Sequence, residues 1–309
     1  MNVEKAIVII NKTRLEALIE RFNTKAQAKF YIEHAGGSFE AYEQEHDVFH
    51  RSLDQVTESL QRSLKVKVIE RKFVPNFLFS EDDMIVVVGQ DGLVANAAKY
   101  VNGLPILAIN PDKARYDGIL LPFDVSTFKP TLQNFLNGKG EFKKVTLAEA
   151  RTNDGQQLLA FNDLFIGPGS HVSARYRITH GKKSEEQSSS GIIVSTGAGS
   201  TGWLSSLMNM ANGIQNTFNA AHHAHVEISM PWDTDQLAFV VREPFLSRHS
   251  GISLPAGMIR EGQKLLIESH MPSYGIIFSD GVEADFIQFN AGAKVEIGTA
   301  SQKAILIIK

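Results

Sequence analysis

A carboxylate set among glycines at the end of an apolar strand is where this chain could first do chemistry. Gly89-Gln90-Asp91-Gly92 follows the run MIVVV at 84–88 and precedes the helical stretch VANAAKYV. Glycine lets a backbone approach a ligand closely, and the N–H groups of a helix start can hold phosphate oxygens. An aspartate at the carboxyl end of a parallel strand stands where open α/β sheets bind ligands. An ordinary βα turn, with Asp91 beside the helix N-cap, is the competing reading.

The second constellation is Ser188-Ser189-Ser190-Gly191, the apolar IIV of 192–194, and then Ser195-Thr196-Gly197-Ala198-Gly199-Ser200-Thr201-Gly202-Trp203. A strand running into a loop of Gly, Ser and Thr offers hydroxyls and backbone donors with little bulk, which suits a ribose, phosphate or base edge. A flexible loop is the alternative. In the third, Asn162-Asp163 interrupts LLAFNDLFIG. Two polar side chains inside an apolar run need partners. A ligand would serve, and so would a turn or bulge.

The elements that must position these residues fall into two textures. KAIVII at 5–10 reads as a buried strand. Leu15, Leu18, Ile19 and Phe22 mark a helix. Thr24 and Gln27 have the capping-box pattern of a second helix, which Gly36-Gly37 ends. Phe39, Tyr42, His46, Phe49, Leu53, Val56 and Leu60 recur three and four apart, as in a long amphipathic helix that packs on its own domain or joins a second copy. Val66, Val68 and Phe73 suggest a strand. MIVVV, the Gly-rich turn, VANAAKYV and PILAIN at 105–110 compose a βαβ unit. From about residue 125 the runs SARYRIT, GIIVST, HVEISM, LAFVV, KLLIES, YGIIFS, AKVEIG and KAILIIK are short and often alternating, with one helix from near Ser200. The expected fold is an α/β domain with a parallel sheet over 1–125 and a β-rich domain over 126–309.

The chain has 309 residues, 43% hydrophobic and 21% charged, which suits two folded domains. A net charge of −3 gives no support to nucleic-acid binding. No apolar run approaches membrane-spanning length, and the N-terminal residues lack a signal pattern. A cytoplasmic location is expected. The absence of cysteine excludes thiol catalysis and Cys-ligated zinc. His222, His223 and His225 lack the carboxylate pattern that would complete a metal site. Lys182–Glu186 reads as a solvated hairpin turn, and Trp203 and Trp232 as packing residues.

Taken together, the segments resemble the NAD kinase family. Gly89–Leu93 is similar to its Gly-Gly-Asp-Gly-Thr motif, Asn162-Asp163 to its Asn-Glu pair, and Ser195–Trp203 to its Gly-Ser-Thr loop. Pro244–Arg248 and Asp280-Gly281, followed by Gly292–Ile297, resemble further segments. Asn110-Pro111-Asp112, Phe165-Ile166-Gly167, Ser173–Tyr176 and Ser189-Ser190-Gly191 resemble the mitochondrial-type branch. Gln90 and Leu93 depart from the motif's second glycine and its threonine, Ser190 stands where most of the family has an aspartate, and Phe245 replaces a common histidine.

The resemblance implies transfer of phosphate from ATP to the 2′-hydroxyl of NAD, with magnesium, on a fold of the NAD kinase/diacylglycerol kinase type. It implies Asp91 as the catalytic carboxylate. Gly89 and Gly92 would serve the triphosphate, and Asn162, Asp163, Ser190, Ser195, Thr196, Gly199, Ser200 and Thr201 the dinucleotide. The expected partners are NAD and ATP, with no nucleic acid and no membrane, in a homodimer or homotetramer. Other readings are a kinase of this scaffold acting on a sugar, nucleoside or lipid, and a non-catalytic NAD(P) sensor.

Overall fold

The computed structural model describes residues 3–218 and 225–309. Two compact units are present, Met1–Lys143 with Ile305–Lys309, and Lys144–Ala304. The elements in chain order are β1 (Lys5–Ile10), α1 (Arg14–Phe22), α2 (Lys25–His34), α3 (Phe39–Gln61), β2 (Lys65–Glu70), β3 (Asp83–Val88), α4 (Asp91–Ala98), β4 (Pro105–Ile109) and α5 (Val125–Leu136). There follow β5 (Glu141–Thr152), β6 (Gln157–Ala160), β7 (Asp163–Pro168), β8 (Ala174–His180), β9 (Lys183–Ser189), β10 (Ile192–Ser195), α6 (Trp203–Phe218), β11 (Leu237–Val241), β12 (Ala256–Ile259), β13 (Leu265–Ser269), β14 (Gly275–Ser279), β15 (Val282–Gln288) and β16 (Lys294–Ile308).

In the first unit β2, β1, β3 and β4 lie side by side in that order, all parallel. The apolar runs of β1, β3 and β4 are buried because helices cover both faces of such a sheet. One face packs on Phe49, Leu53, Val56 and Leu60 of α3 and on Phe128, Leu132 and Phe135 of α5. The heptad-like face of α3 is therefore spent inside its own unit. Burying each such side chain stabilises by roughly 1.5–3 kcal/mol. Helix α1 starts on a full capping box, with Thr13 and Glu16 each bonding the other's backbone.

The second unit is antiparallel and β-rich. Strands β12, β11, β10, β7, β14 and β15 form one sheet. Their inward residues, such as Leu164, Ile166, Ile192 and Val194, share a core with Tyr176 and Ile178 of β8 and Ile267 of β13. The outward Phe165, Ile193, Ala238 and Phe278 pack on Leu204, Leu207 and Met208 of α6. Alternation along each strand serves both layers. The expected fold class is borne out.

Several local expectations are corrected. Phe73 lies in a 3-10 turn, Arg71–Asn76, because Pro75 removes a ladder donor. HVEISM is not a strand. Asn212 of α6 donates to the Val226 carbonyl at 2.8 Å and accepts the Val226 N–H at 2.9 Å, taking groups a sheet neighbour would need. Helix α6 begins at Trp203, after a 3-10 turn over Ala198–Thr201. AKVEIG and KAILIIK are one strand, β16. Its early residues pair with β13, and Ile305 and Leu306 pair in parallel with β4. Helix α5 and the polar strand β9 were not anticipated. Lys182 does sit in a tight hairpin turn, but Glu185 is half-buried and accepts from the Ser253 and Leu254 N–H groups.

Candidate active site

In the first unit the carboxyl ends of β1, β3 and β4 converge on a cavity of about 140 Å³. Its walls include Asn11, Lys12 and Thr13 after β1, Gly89, Gln90 and Gly92 after β3, and Pro111 and Asp112 after β4. The strand order reverses between β1 and β3. Such a switch point is where open parallel sheets bind ligands.

Asp91 is the first residue of α4, and its Oδ1 accepts from the Leu120 N–H at 2.7 Å. This bond fixes the carboxylate against the loop after β4. Asn110 shapes the same loop, donating to the Tyr116 carbonyl at 2.9 Å and accepting from the Asp112 N–H at 3.0 Å. The Gln90 side chain makes no cap bond to α4, which leaves first-turn N–H groups of the helix as candidate anion donors, although the Leu93 N–H is taken by the Gln90 carbonyl at 2.9 Å. Gly92 is exposed, and a Cβ there would meet nothing within 4 Å. No packing demand from the chain accounts for this glycine. Gln90 is exposed at the N-cap.

Lys12 and Arg71 bring positive charge to the cavity. Glu45, which also lines the cavity, is buried and accepts from Arg14, from Arg115 Nη1 at 3.3 Å and from the Tyr116 hydroxyl at 3.3 Å. Sequence reading passed over Glu45, which sits among the polar positions of α3. Its only sequence signal is an acid one residue from His46 on the apolar face.

In the second unit Asn162 and Asp163 begin β7. The Asp280 carboxylate accepts from the N–H groups of Phe161, Asn162 and Asp163 at 3.0, 2.6 and 3.3 Å. Asp280 and Gly281 both have positive φ, 52° and 68°, the left-handed pair of a type I′ hairpin turn between β14 and β15. Burial, and then the nearby Asp280 charge, push the Asp163 carboxyl up to about 7.

The Ser195–Thr201 loop folds onto Asn162. Thr196 donates its hydroxyl to the Phe161 carbonyl at 2.6 Å and its N–H to the Asn162 carbonyl at 2.9 Å. Ser195 and Ser200 donate to the Thr196 and Gly197 carbonyls. These three hydroxyls build the loop. Gly199 lies so close that a Cβ would stand 2.1 Å from the Asn162 oxygen. Thr201 is exposed, and the Asn162 side chain is half-buried. Asn162, Asp163, Ser195, Thr196, Gly199, Ser200 and Thr201 thus come together. Ser190 stands at the other end of β10, roughly 16 Å from Ser195 at the rise of a strand, with its N–H on the Arg242 carbonyl. Trp203 stacks on Phe165 at 5.9 Å, as a packing residue would. His222 and His223 lie outside the described residues, and His225 is exposed.

No family model matches the chain. A probable NADH kinase of Oryza sativa subsp. japonica is 26% identical over 224 residues, 64% of this chain and 63% of that protein. The NAD kinase of Clostridium tetani is 27% identical over 173 residues, 51% of this chain and 60% of the relative. Human NAD kinase 2, mitochondrial, is 24% identical over 294 residues, 77% of this chain and 66% of that protein. The chain thus spans about three fifths of the length of the first two relatives. Among solved structures, an Archaeoglobus fulgidus NAD kinase in complex with ATP superposes with a TM-score of 0.61 at 14% identity, covering 98% of this chain and 92% of its own. Yeast NADH kinase complexed with NADH gives 0.61 at 14% identity, covering 100% and 84%. The chain is thus similar in sequence to NAD and NADH kinases and shares the fold of two solved ones.

Proposed function

We propose that the protein transfers the terminal phosphoryl group of ATP to the 2′-hydroxyl of NAD, making NADP. The observation that carries this reading is the cavity at the β1/β3 switch point, with the bare N-terminus of α4, exposed Gly92, Lys12 and Arg71 around it. Together these are donors and charge for a polyphosphate. Gly89 and Gly92 let the backbone approach the triphosphate. Asp91, held by Leu120, orients the ribose hydroxyl and accepts its proton.

Asn162, Asp163 and the loop from Ser195 to Thr201 hold the dinucleotide. Asn162 and Thr201 supply side chains, and Thr196, Gly199 and Ser200 hold the loop's shape. Ser190 serves the dinucleotide from a partner copy in a homodimer or homotetramer of closed symmetry. The Asp91 carboxylate would be a hard oxygen donor to a magnesium ion bound with the substrate phosphates, and such an ion would supply charge neutralisation there. The protein works in the cytoplasm. Among the described residues no helix is long and apolar enough to cross a membrane.

The test is incubation with ATP, magnesium and NAD, followed by an NADP-specific dehydrogenase assay. NADP formation is the expected result. NAD binding without NADP formation would replace this reading with a sensor. Phosphorylation of a sugar, nucleoside or lipid instead would reassign the acceptor. Light scattering that gives a monomer would remove the oligomer and the role of Ser190.

A further inference from the structure

We propose that Glu16, His46 and His50 form a binding site for a divalent cation of the zinc class, beside the cavity of the first unit. His46 and His50 are one turn apart on α3, with ring centroids 4.3 Å apart, so both imidazoles stand on one helical face. Glu16, on α1, places a carboxylate against that face. Each of the three offers one ligand atom, and these atoms lie within 4.8 Å of one another. Two imidazoles and a carboxylate are the donor set of three-ligand zinc sites that keep a fourth position for water.

The surroundings hold these donors in ligating orientation. Glu16 Oε2 accepts from the Thr13 N–H at 2.7 Å, which points the carboxylate and leaves Oε1 toward His50. His46 Nδ1 bonds the Thr13 hydroxyl at 2.9 Å, so Nε2 is the nitrogen available to a metal. Such orienting bonds accompany metal-bound histidines and carboxylates. His50 Nε2 and Glu16 Oε1 are 3.0 Å apart. Two ligands on a tetrahedral ion with bonds near 2.0 Å stand roughly 3.3 Å apart, so an ion can replace this hydrogen bond with little movement. The wider spacing to His46 closes by rotation of side chains that are half-buried rather than locked in the core.

Imidazole nitrogen favours zinc-class ions over magnesium, which prefers an all-oxygen shell. The site is therefore chemically separate from the substrate's magnesium. It ties α1 to α3 at Thr13, a residue that also lines the cavity. An ion here would brace that wall.

The test is titration of chelator-stripped protein with cobalt(II), with magnesium in excess. The expected result is one equivalent bound, with visible d–d bands of a low-coordinate nitrogen and oxygen site, displaced by zinc. His50→Gln and His46→Gln, checked for unchanged circular dichroism, should each weaken binding by at least the roughly 10–100-fold that losing an orienting partner alone costs. His225→Ala should bind as the parent does. X-ray absorption on the zinc-loaded parent gives a readout that needs no variant to fold. It should show two imidazoles and oxygen near 2.0–2.1 Å. The proposal is overturned if the parent binds no cobalt, if the glutamine variants keep the parental affinity, or if the absorption spectrum lacks the two imidazoles.

Discussion

Asp163 and Asp280 are joined by two hydrogen bonds, one to the Asp280 carboxylate and one between backbones. The Asp163 N–H donates to Asp280 Oδ1 at 3.3 Å, and the Asp280 N–H donates to the Asp163 carbonyl at 3.0 Å. One carboxylate satisfies three N–H groups, while the other is buried close to that charge. Burial, then Asp280, raise Asp163 to about 7 from an ordinary 3.8. The folded protein thus holds a proton between these values that the unfolded chain has released. Stability should fall as pH rises from about 4 to about 7, then level off. Asp163→Asn removes this dependence. Between about pH 5 and pH 8 its stability advantage over the parent should widen by roughly 2–3 kcal/mol. Urea unfolding at both pH values measures it, and a constant difference would show that Asp163 titrates as an ordinary acid.

Gly199 and Gly92 should respond oppositely to alanine. A Cβ on Gly199 meets the Asn162 oxygen at 2.1 Å, so the loop must shift. Gly199→Ala should cost on the order of 1–3 kcal/mol and weaken NAD binding. At Gly92 a Cβ meets nothing, and alanine is the better helix former by about 1 kcal/mol. Gly92→Ala should leave the melting temperature equal or higher while raising the KM for ATP. An unchanged ATP KM would remove Gly92 from the triphosphate site.

Glu45 is the buried hub of Arg14, Arg115 and Tyr116. Removing one partner of a buried ion pair leaves the other charge uncompensated, at a cost of about 3–5 kcal/mol. Arg14 is more than half exposed and can return to water, so Glu45→Ala should fall at the lower end, near 3 kcal/mol. Denaturant midpoints decide this, and a loss below about 1 kcal/mol would reduce the network to a surface ion pair.

Much of this arrangement was legible because apolar burial writes itself as pattern. Strands β1, β3 and β4 are continuous apolar runs, and α3 shows its buried stripe at Phe49, Leu53, Val56 and Leu60. Strand β9, KSEEQSS, was illegible. Its pairing partner β8 carries the apolar alternation, and backbone hydrogen bonds hold a strand without apolar side chains. Helix α5 hid behind Pro130, although Asp124 and Thr127 form a capping box. Chain partners were hidden too. Apolarity in KAILIIK says that it is buried, not that Ile305 and Leu306 pair with β4.

The site was legible where types cluster in sequence and illegible where folding joins distant ones. Asp280 caps Asn162 across 118 positions, and Glu16 meets His50 across 34. The committed hydroxyls of Ser195, Thr196 and Ser200 could not be told from the exposed one of Thr201, since a serine or threonine shows its partner only in three dimensions.

Asp91→Asn is the sharpest test of the mechanism. Asparagine keeps the shape and an oxygen for the Leu120 N–H, so the loop after β4 should hold its place. It cannot accept the ribose proton, and it is a poor oxygen donor to magnesium. Losing a general base commonly costs roughly 10²–10⁴-fold in rate, and kcat should fall by that amount while NAD affinity stays near the parental value. Asn162→Ala and Thr201→Ala should do the reverse, each raising the NAD dissociation constant by the equivalent of about 1 kcal/mol with a smaller change in kcat. Steady-state kinetics and calorimetric titration of the three variants separate chemistry from positioning. If Asp91→Asn turns over at the parental rate, the carboxylate only fastens Leu120 to the start of α4, and the proton must leave by another group.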